Sequence, residues 1–195
     1  MSAQQFSFNM VVEPPPPEMP RCSMCPRPLH RRPIPPHGPI PCRVLFLGEA
    51  PHVDEDKEGI PFCGKTGQEV NNVYLPILGL PRSEVLVFNA CACSQGNYDN
   101  PTPEQAYACS AVHLGPLLMR AQPEVIVAMG AVCCSLFGKW NLNYEHGIPQ
   151  FGQWGPWQGV VWPTYHPTAG IHSTAYMIPL MNDFRGLRKF LEAVG

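Results

Sequence analysis

The chain has 195 residues, 45% of them hydrophobic and 10% aromatic, which suffices for one domain with a sizeable buried core. Thirteen Lys and Arg against fifteen Asp and Glu give a net charge of −2, so any contact with nucleic acid has to use a local patch and oriented dipoles. No apolar run is long enough to cross a membrane, and the first residues lack the basic start and apolar middle of a secretory signal, so a cytoplasmic, non-secreted protein is expected.

Twenty-five prolines are placed unevenly. Residues 1–18, with Pro14 to Pro17 in a row, read as a flexible tail, because such a run joins neither a helix nor a central strand. Residues 19–41 read as an arm that carries Arg21, Arg27, Arg31 and Arg32, tied down by Cys22 and Cys25. From residue 42 to 195 the texture is that of one domain. Residues 44–47 (VLFL), 85–88 (VLVF), 125–129 (VIVAM) and 160–162 (VVW) are short continuous apolar runs, the mark of strands buried on both faces. Between them, helices are expected at about 66–78, 103–121, through 133–136, and 174–193. The second opens on Thr102-Pro103-Glu104-Gln105, which combines an N-cap, a proline at the first helical position and a capping-box Gln. Residues 138–158 are rich in Gly, Trp and Asn and predict loop, with Trp140, Trp154 and Trp157 either packing or forming a flap. Strands alternating with helices predict an α/β fold, a three-layer α/β/α sandwich around a central four-stranded parallel sheet.

Three polar residues sit where the strands of this scheme end: Glu49, Asn89 and His166. In open α/β sheets, ligands bind in the crevice beyond the carboxyl ends of the strands. Each residue alone is equally at home satisfying loop backbone. Their convergence on one edge makes a site candidate.

The segment 48–67 (GEAPHVDEDKEGIPFCGKTG) is turn-rich and acidic, with Asp54 and Glu58 expected in solvent and Phe62 either in the core or serving as a platform for a flat ring. Its pattern G-E-A-P-x-x-x-E-D-x-x-G-x-P-F-x-G-x-x-G resembles motif one of the uracil-DNA glycosylase superfamily, in particular the iron–sulfur family 4 enzymes. Further resemblances follow in order: Phe88-Asn89, the Asn100-Pro101-Thr102-Pro103-Glu104 segment, the strand 125–130, and Pro163-Thr164-Tyr165-His166-Pro167 as motif two. The resemblance implies that Phe62 stacks on an extruded uracil, Asn89 reads its edge, and His166 hydrogen-bonds O2. It places Gly48, Ala50 and His52 around the base, and makes Glu49 and Glu55 candidates for positioning water or stabilising the sugar cation, with no division of roles between them.

Nine cysteines without a secretion signal point to metal ligation or to plain burial of small thiols. From spacing alone, Cys22-x-x-Cys25 with two later cysteines suits a four-cysteine zinc site as well as a cluster. The resemblance assigns a [4Fe–4S] cluster to Cys22, Cys25, Cys93 and Cys109, with structural zinc as the alternative. Cys42, Cys63, Cys91, Cys133 and Cys134 are assigned to packing.

The sequence departs from the family pattern at two places. His52 stands where the family usually has Gly, and Thr168-Ala169-Gly170-Ile171-His172 replaces a Leu/Arg-bearing loop, leaving Ile171 as the expected wedge and His172 toward phosphate. Residues 93–102 contain neither a basic residue nor a His, which sets aside the covalent-trapping relatives. The expectation is a monomeric DNA-repair hydrolase acting on uracil in single- or double-stranded DNA, without membrane contact. The alternative is a catalytically quiet superfamily member that binds damaged or single-stranded DNA.

Overall fold

The computed structural model describes residues 32–94 and 99–195, so the tail, most of the arm, Cys22 and Cys25 lie outside the described residues. The four apolar runs all form strands: β1 (Val44–Gly48), β2 (Val85–Asn89), β3 (Val125–Met129) and β5 (Trp157–Thr164). They lie side by side in parallel, with β4 (Gln150–Trp154) added antiparallel at one edge, in the order β2-β1-β3-β5-β4. The sheet is therefore five-stranded rather than four-stranded. The fifth strand comes from residues expected as loop. Its burial is irregular, as befits an edge strand with one covered face, and hairpin pairing to β5 substitutes for the apolar run that marks the other four.

Alternate residues of β1 feed two cores. Leu45 and Leu47 pack with Leu86, Phe88, Ile126 and Ala128 on one face, and Val44 and Phe46 with Val85, Val87, Val125 and Val127 on the other. Each such large aliphatic or aromatic side chain contributes about 1.5–3 kcal/mol on burial. One face is covered by α4 (Pro103–Val112), α5 (Leu114–Ala121) and α6 (Ala131–Ser135), and the other chiefly by the long α9 (Thr174–Val194).

Two expected helices are interrupted, each for a covalent reason. The helix of 65–78 runs as α2 (Lys65–Glu69), a π turn (Val70–Tyr74) and α3 (Leu75–Leu78), with the Leu75 N–H reaching back to Val70 O. Pro76 has no N–H and its ring crowds the carbonyl four residues back, so the ladder slips by one residue just before it. The helix of 103–121 breaks at His113, three residues before Pro116, which does the same to the carbonyl of Val112. The segment 48–67 also contains a short helix, α1 (Val53–Glu58). Among the described residues the remaining elements are a 3-10 turn (Arg82–Glu84), α7 (Leu142–Glu145) and α8 (Pro167–His172).

The described part of the arm lies along β2. His37 exchanges backbone hydrogen bonds of 3.0 Å with Val87, and the Ile34 N–H donates to Ala92 O at 2.7 Å. Among the described residues no helix is long and apolar enough to cross a membrane.

Candidate active site

The carboxyl ends of β2, β1, β3 and β5 open on one side of the sheet, and a cleft of about 800 Å³ lies across them. The strand order reverses at β1: β2 lies on one side of it and β3 on the other, which is where a parallel sheet leaves a crevice. Glu49, Phe62, Asn89 and His166 all line this cleft. The four residues singled out from the sequence are thus brought together, joined by Ala50, His52 and Glu55.

One half of the cleft is organised by Glu55, which is 9% exposed. Its Oε1 accepts the Phe62 N–H at 2.6 Å and the Asn89 Nδ2–H at 3.2 Å, and its Oε2 accepts the His52 N–H at 2.9 Å. Three donors converge on one carboxylate, the arrangement that makes burial of such a group tolerable. Phe62 is held at φ 61°, a left-handed conformation uncommon for an aromatic residue, and the bond to Glu55 holds it there. Two glycines let this corner close. A Cβ on Gly67 would stand 1.6 Å from Phe62 O, and one on Gly48 would stand 2.4 Å from Asn89 Oδ1 and 2.8 Å from Phe62 Cζ. Gly48 thus acts by leaving room where the Asn89 amide and the Phe62 ring meet, as its register opposite Asn89 requires.

The other half is built around Gly130. This residue follows β3 at φ +94°, and a Cβ on it would lie 2.3 Å from Glu49 Oε1 and 3.4 Å from His166 Cβ. Glu49 and His166 therefore approach each other over a bare backbone. Burial raises the pKa of Glu49, opposed by a hydrogen bond from the Val132 backbone. The two acids have different surroundings: Glu55 is saturated with N–H donors, whereas Glu49 is desolvated and borders the space beside His166.

His166 caps α8. Its Nδ1 lies 2.7 Å from Thr168 Oγ1 and accepts the Thr168 N–H at 3.4 Å. Burial pushes its pKa down to about 4, so the ring is neutral at physiological pH. With Nδ1 accepting, the proton resides on Nε2, which leaves that atom as a donor.

Sequence reasoning does not single out Tyr165 and Leu142, which line the same cleft, nor the buried Asp183 behind it. Tyr165 is the neighbour of His166 in the strand-end motif, which is the available signal; Leu142 lies in a stretch that reads as featureless loop. His52, Ile171 and His172 are exposed at the rim, and Asp54 and Glu58 face solvent as expected.

Of the packing cysteines, Cys42, Cys91, Cys133 and Cys134 are buried in one core, where desolvation pushes the thiols of Cys42 and Cys134 up to about 12. Cys63 is less enclosed than these four. It is only half-buried, because it follows Phe62 on the surface loop and not on a core strand. Cys93 and Cys109 are likewise half-buried. The Ala92 N–H donates to Cys109 Sγ at 3.3 Å, so the sulfur of α4 lies against the residue preceding Cys93, and the arm crosses the same residue through Ile34. A half-buried sulfur that already accepts an N–H suits a thiolate ligand. Among the described residues no three His, Cys, Asp or Glu are grouped to hold a metal, and the other two assigned ligands fall outside them.

Comparison with known proteins agrees with this geometry. The chain is 34% identical over 181 residues to the type-4 uracil-DNA glycosylase of Thermotoga maritima, covering 90% of this chain and 92% of that protein. It is 31% identical over 166 residues to the type-4 uracil-DNA glycosylase of Saccharolobus solfataricus, with 82% and 76% covered. The sequence model of the uracil DNA glycosylase superfamily matches residues 35–185, from the described arm to the middle of α9 and across the whole cleft, and the chain belongs to that superfamily.

Proposed function

We propose that this chain excises uracil from DNA by hydrolysing the N-glycosidic bond, leaving an abasic site. The observation that carries the reading is the meeting of Glu49, Phe62, Asn89 and His166 in one cleft at the ends of adjacent strands. The names of the relatives, type-4 uracil-DNA glycosylases, support it.

Breaking this bond requires no strong nucleophile. The sugar develops cationic character and the base departs as an anion, so the residues need to stabilise charge and exclude water. The target nucleotide leaves the stack and enters the cleft. Phe62, fixed by Glu55, offers its ring as a stacking surface. Asn89 donates to uracil O4 and accepts from N3–H, a polarity that cytosine reverses. His166 donates from Nε2 to O2, where charge gathers on the leaving base, and a neutral donor suffices. Glu49 is the acid placed to align water or face the sugar cation. Glu55 acts through Phe62 and Asn89, which makes it a positioning residue. In this reading Lys65, Ile171 and His172, which line the cleft, meet the flanking strand.

In the same reading Cys22, Cys25, Cys93 and Cys109 hold a [4Fe–4S] cluster. Four thiolates are the ligand number such a cluster takes. Its role is structural, fastening the arm and its arginines to α4. Action as a monomer belongs to this reading too.

The test is incubation with uracil-containing single- and double-stranded oligonucleotides, followed by alkaline cleavage. Strand scission at the uracil position is expected, and cytosine and thymine controls should stay intact. Binding to uracil-DNA without abasic product would replace this reading with the catalytically quiet alternative.

A further inference from the structure

We propose that Asp183 and His146 form a positioning pair that holds the turn carrying His166, an assignment that rests on the glycosylase reading above. Asp183 lies on α9, 4% exposed, behind the cleft and outside its lining. Its Oδ2 accepts the Thr164 hydroxyl at 2.7 Å, and its Oδ1 lies 2.8 Å from His146 Nδ1. A carboxylate only accepts, so Nδ1 of His146 carries the proton in this contact.

Thr164 is the last residue of β5, two before His166, and it is pinned on both sides. Its carbonyl accepts the Gly130 N–H at 2.9 Å, on the side of Glu49, while its hydroxyl is held by Asp183 on the helix side. The His146 ring also touches the segment directly, with its centroid 4.7 Å from that of Tyr165; Tyr165 in turn meets Tyr176 edge-on at 4.9 Å. Gly147, at φ +70°, donates its N–H to Pro163 O at 2.8 Å, and a Cβ there would lie 2.4 Å from Asp183 Oδ1. The turn after α7, the end of β5 and α9 thus converge on a single buried carboxylate.

Burial raises the pKa of Asp183 despite both hydrogen bonds, so the charged form depends on those two partners. Loss of either donor leaves the carboxylate underpaired and frees the strand end. His166 has its ring orientation set locally by Thr168, but its position relative to Glu49 and Gly130 is set through Thr164. Neither member of the pair lines the cleft. Their effect on the reaction therefore runs through the strand-end turn of Tyr165 and His166, and is assigned to His166.

The experiment measures single-turnover uracil release and KM for the wild type, His146→Leu, His146→Gln, His166→Ala and the His146→Leu/His166→Ala double variant. His146→Leu should lower the single-turnover rate between about tenfold and a hundredfold, the scale of a catalytic group displaced by an ångström or less, with KM little changed. His146→Gln keeps an N–H donor for Asp183 and should recover most of the rate. In the His166→Ala background, His146→Leu should have no further effect. Thr164→Val, which removes only the hydroxyl, and Thr164→Ser, which restores it, repeat the contrast should His146→Leu fail to fold. Full multiplicative loss in the double variant, or a Thr164→Val rate equal to wild type, overturns the assignment alone. A wild-type chain that releases no uracil overturns the glycosylase reading and this assignment with it.

Discussion

Asn89 Nδ2 lies 3.2 Å from Glu55 Oε1, and because a carboxylate can only accept, this contact fixes which way the Asn89 amide faces. The second N–H of Nδ2 and the carbonyl Oδ1 are left as a donor and acceptor of defined order. An amide free to flip would read uracil and cytosine alike. In the proposed reading, the base preference of the cleft therefore depends on an acid that need not touch the base.

That dependence shapes the outcome of Asn89→Asp. The introduced carboxyl would stand beside the buried Glu55, and two carboxylates this close share a proton. In its protonated form the introduced group would accept from cytosine N4–H and donate to N3, so the variant should excise cytosine. That activity should fall as pH rises and the shared proton is lost. Oligonucleotide cleavage across a pH series checks both points, and strict uracil preference in the variant would remove Asn89 from base reading.

Glu49→Gln and Glu55→Gln should separate the two acids. In Glu55→Gln an amide N–H replaces an acceptor facing three donors, which leaves a buried donor unsatisfied at about 1–3 kcal/mol. Both stability and base selectivity should suffer. Glu49→Gln instead removes a carboxylate whose charged form burial disfavours, so at neutral pH the folded protein should be at least as stable as wild type. Its rate should nevertheless fall by about 10² or more. Urea midpoints measured beside single-turnover rates distinguish a positioning acid from a reacting one.

Much of this arrangement was legible in the sequence, and the reason differs by part. The four parallel strands announced themselves because burial on both faces demands unbroken apolar runs, and strand ends then located Glu49, Asn89 and His166. The edge strand β4 did not, since pairing to β5, a tertiary event, makes it a strand. Pro76 and Pro116 were visible, yet the helical periodicity did not show that one would produce a π turn and the other a break at His113. The role of Glu55 was equally hidden. Nothing in its spacing shows that three donors from His52, Phe62 and Asn89 converge on it.

The cysteine assignment predicts a metal-dependent signature. Protein purified without oxygen should show the broad visible absorbance of an iron–sulfur cluster and about four irons per chain. Cys93→Ala and Cys109→Ala should lose it, whereas Cys63→Ala, although also half-buried, should keep it. Zinc in place of iron in freshly prepared protein would return the site to the four-cysteine alternative.

His166 supplies a pH test with a definite sign. Its folded pKa, about 4, lies below its ordinary value of 6.5, because burial disfavours the charged ring. As pH falls below 6.5 the unfolded chain takes up a proton that the folded chain refuses until about 4, so stability present above 6.5 is lost across this window. His166→Gln should therefore flatten the acid side of the stability profile, measured as urea midpoint against pH, relative to wild type. The same shift bears on the rate. With the neutral ring as the proposed donor and its pKa near 4, uracil release should show no inflection near 6.5, and His166→Ala should lower the rate by about 10² or more at every pH above it. A wild-type rate that falls as pH rises through 6.5, with that fall absent in His166→Ala, would mean that the imidazole reacts in its charged form, and the neutral-donor mechanism would fall.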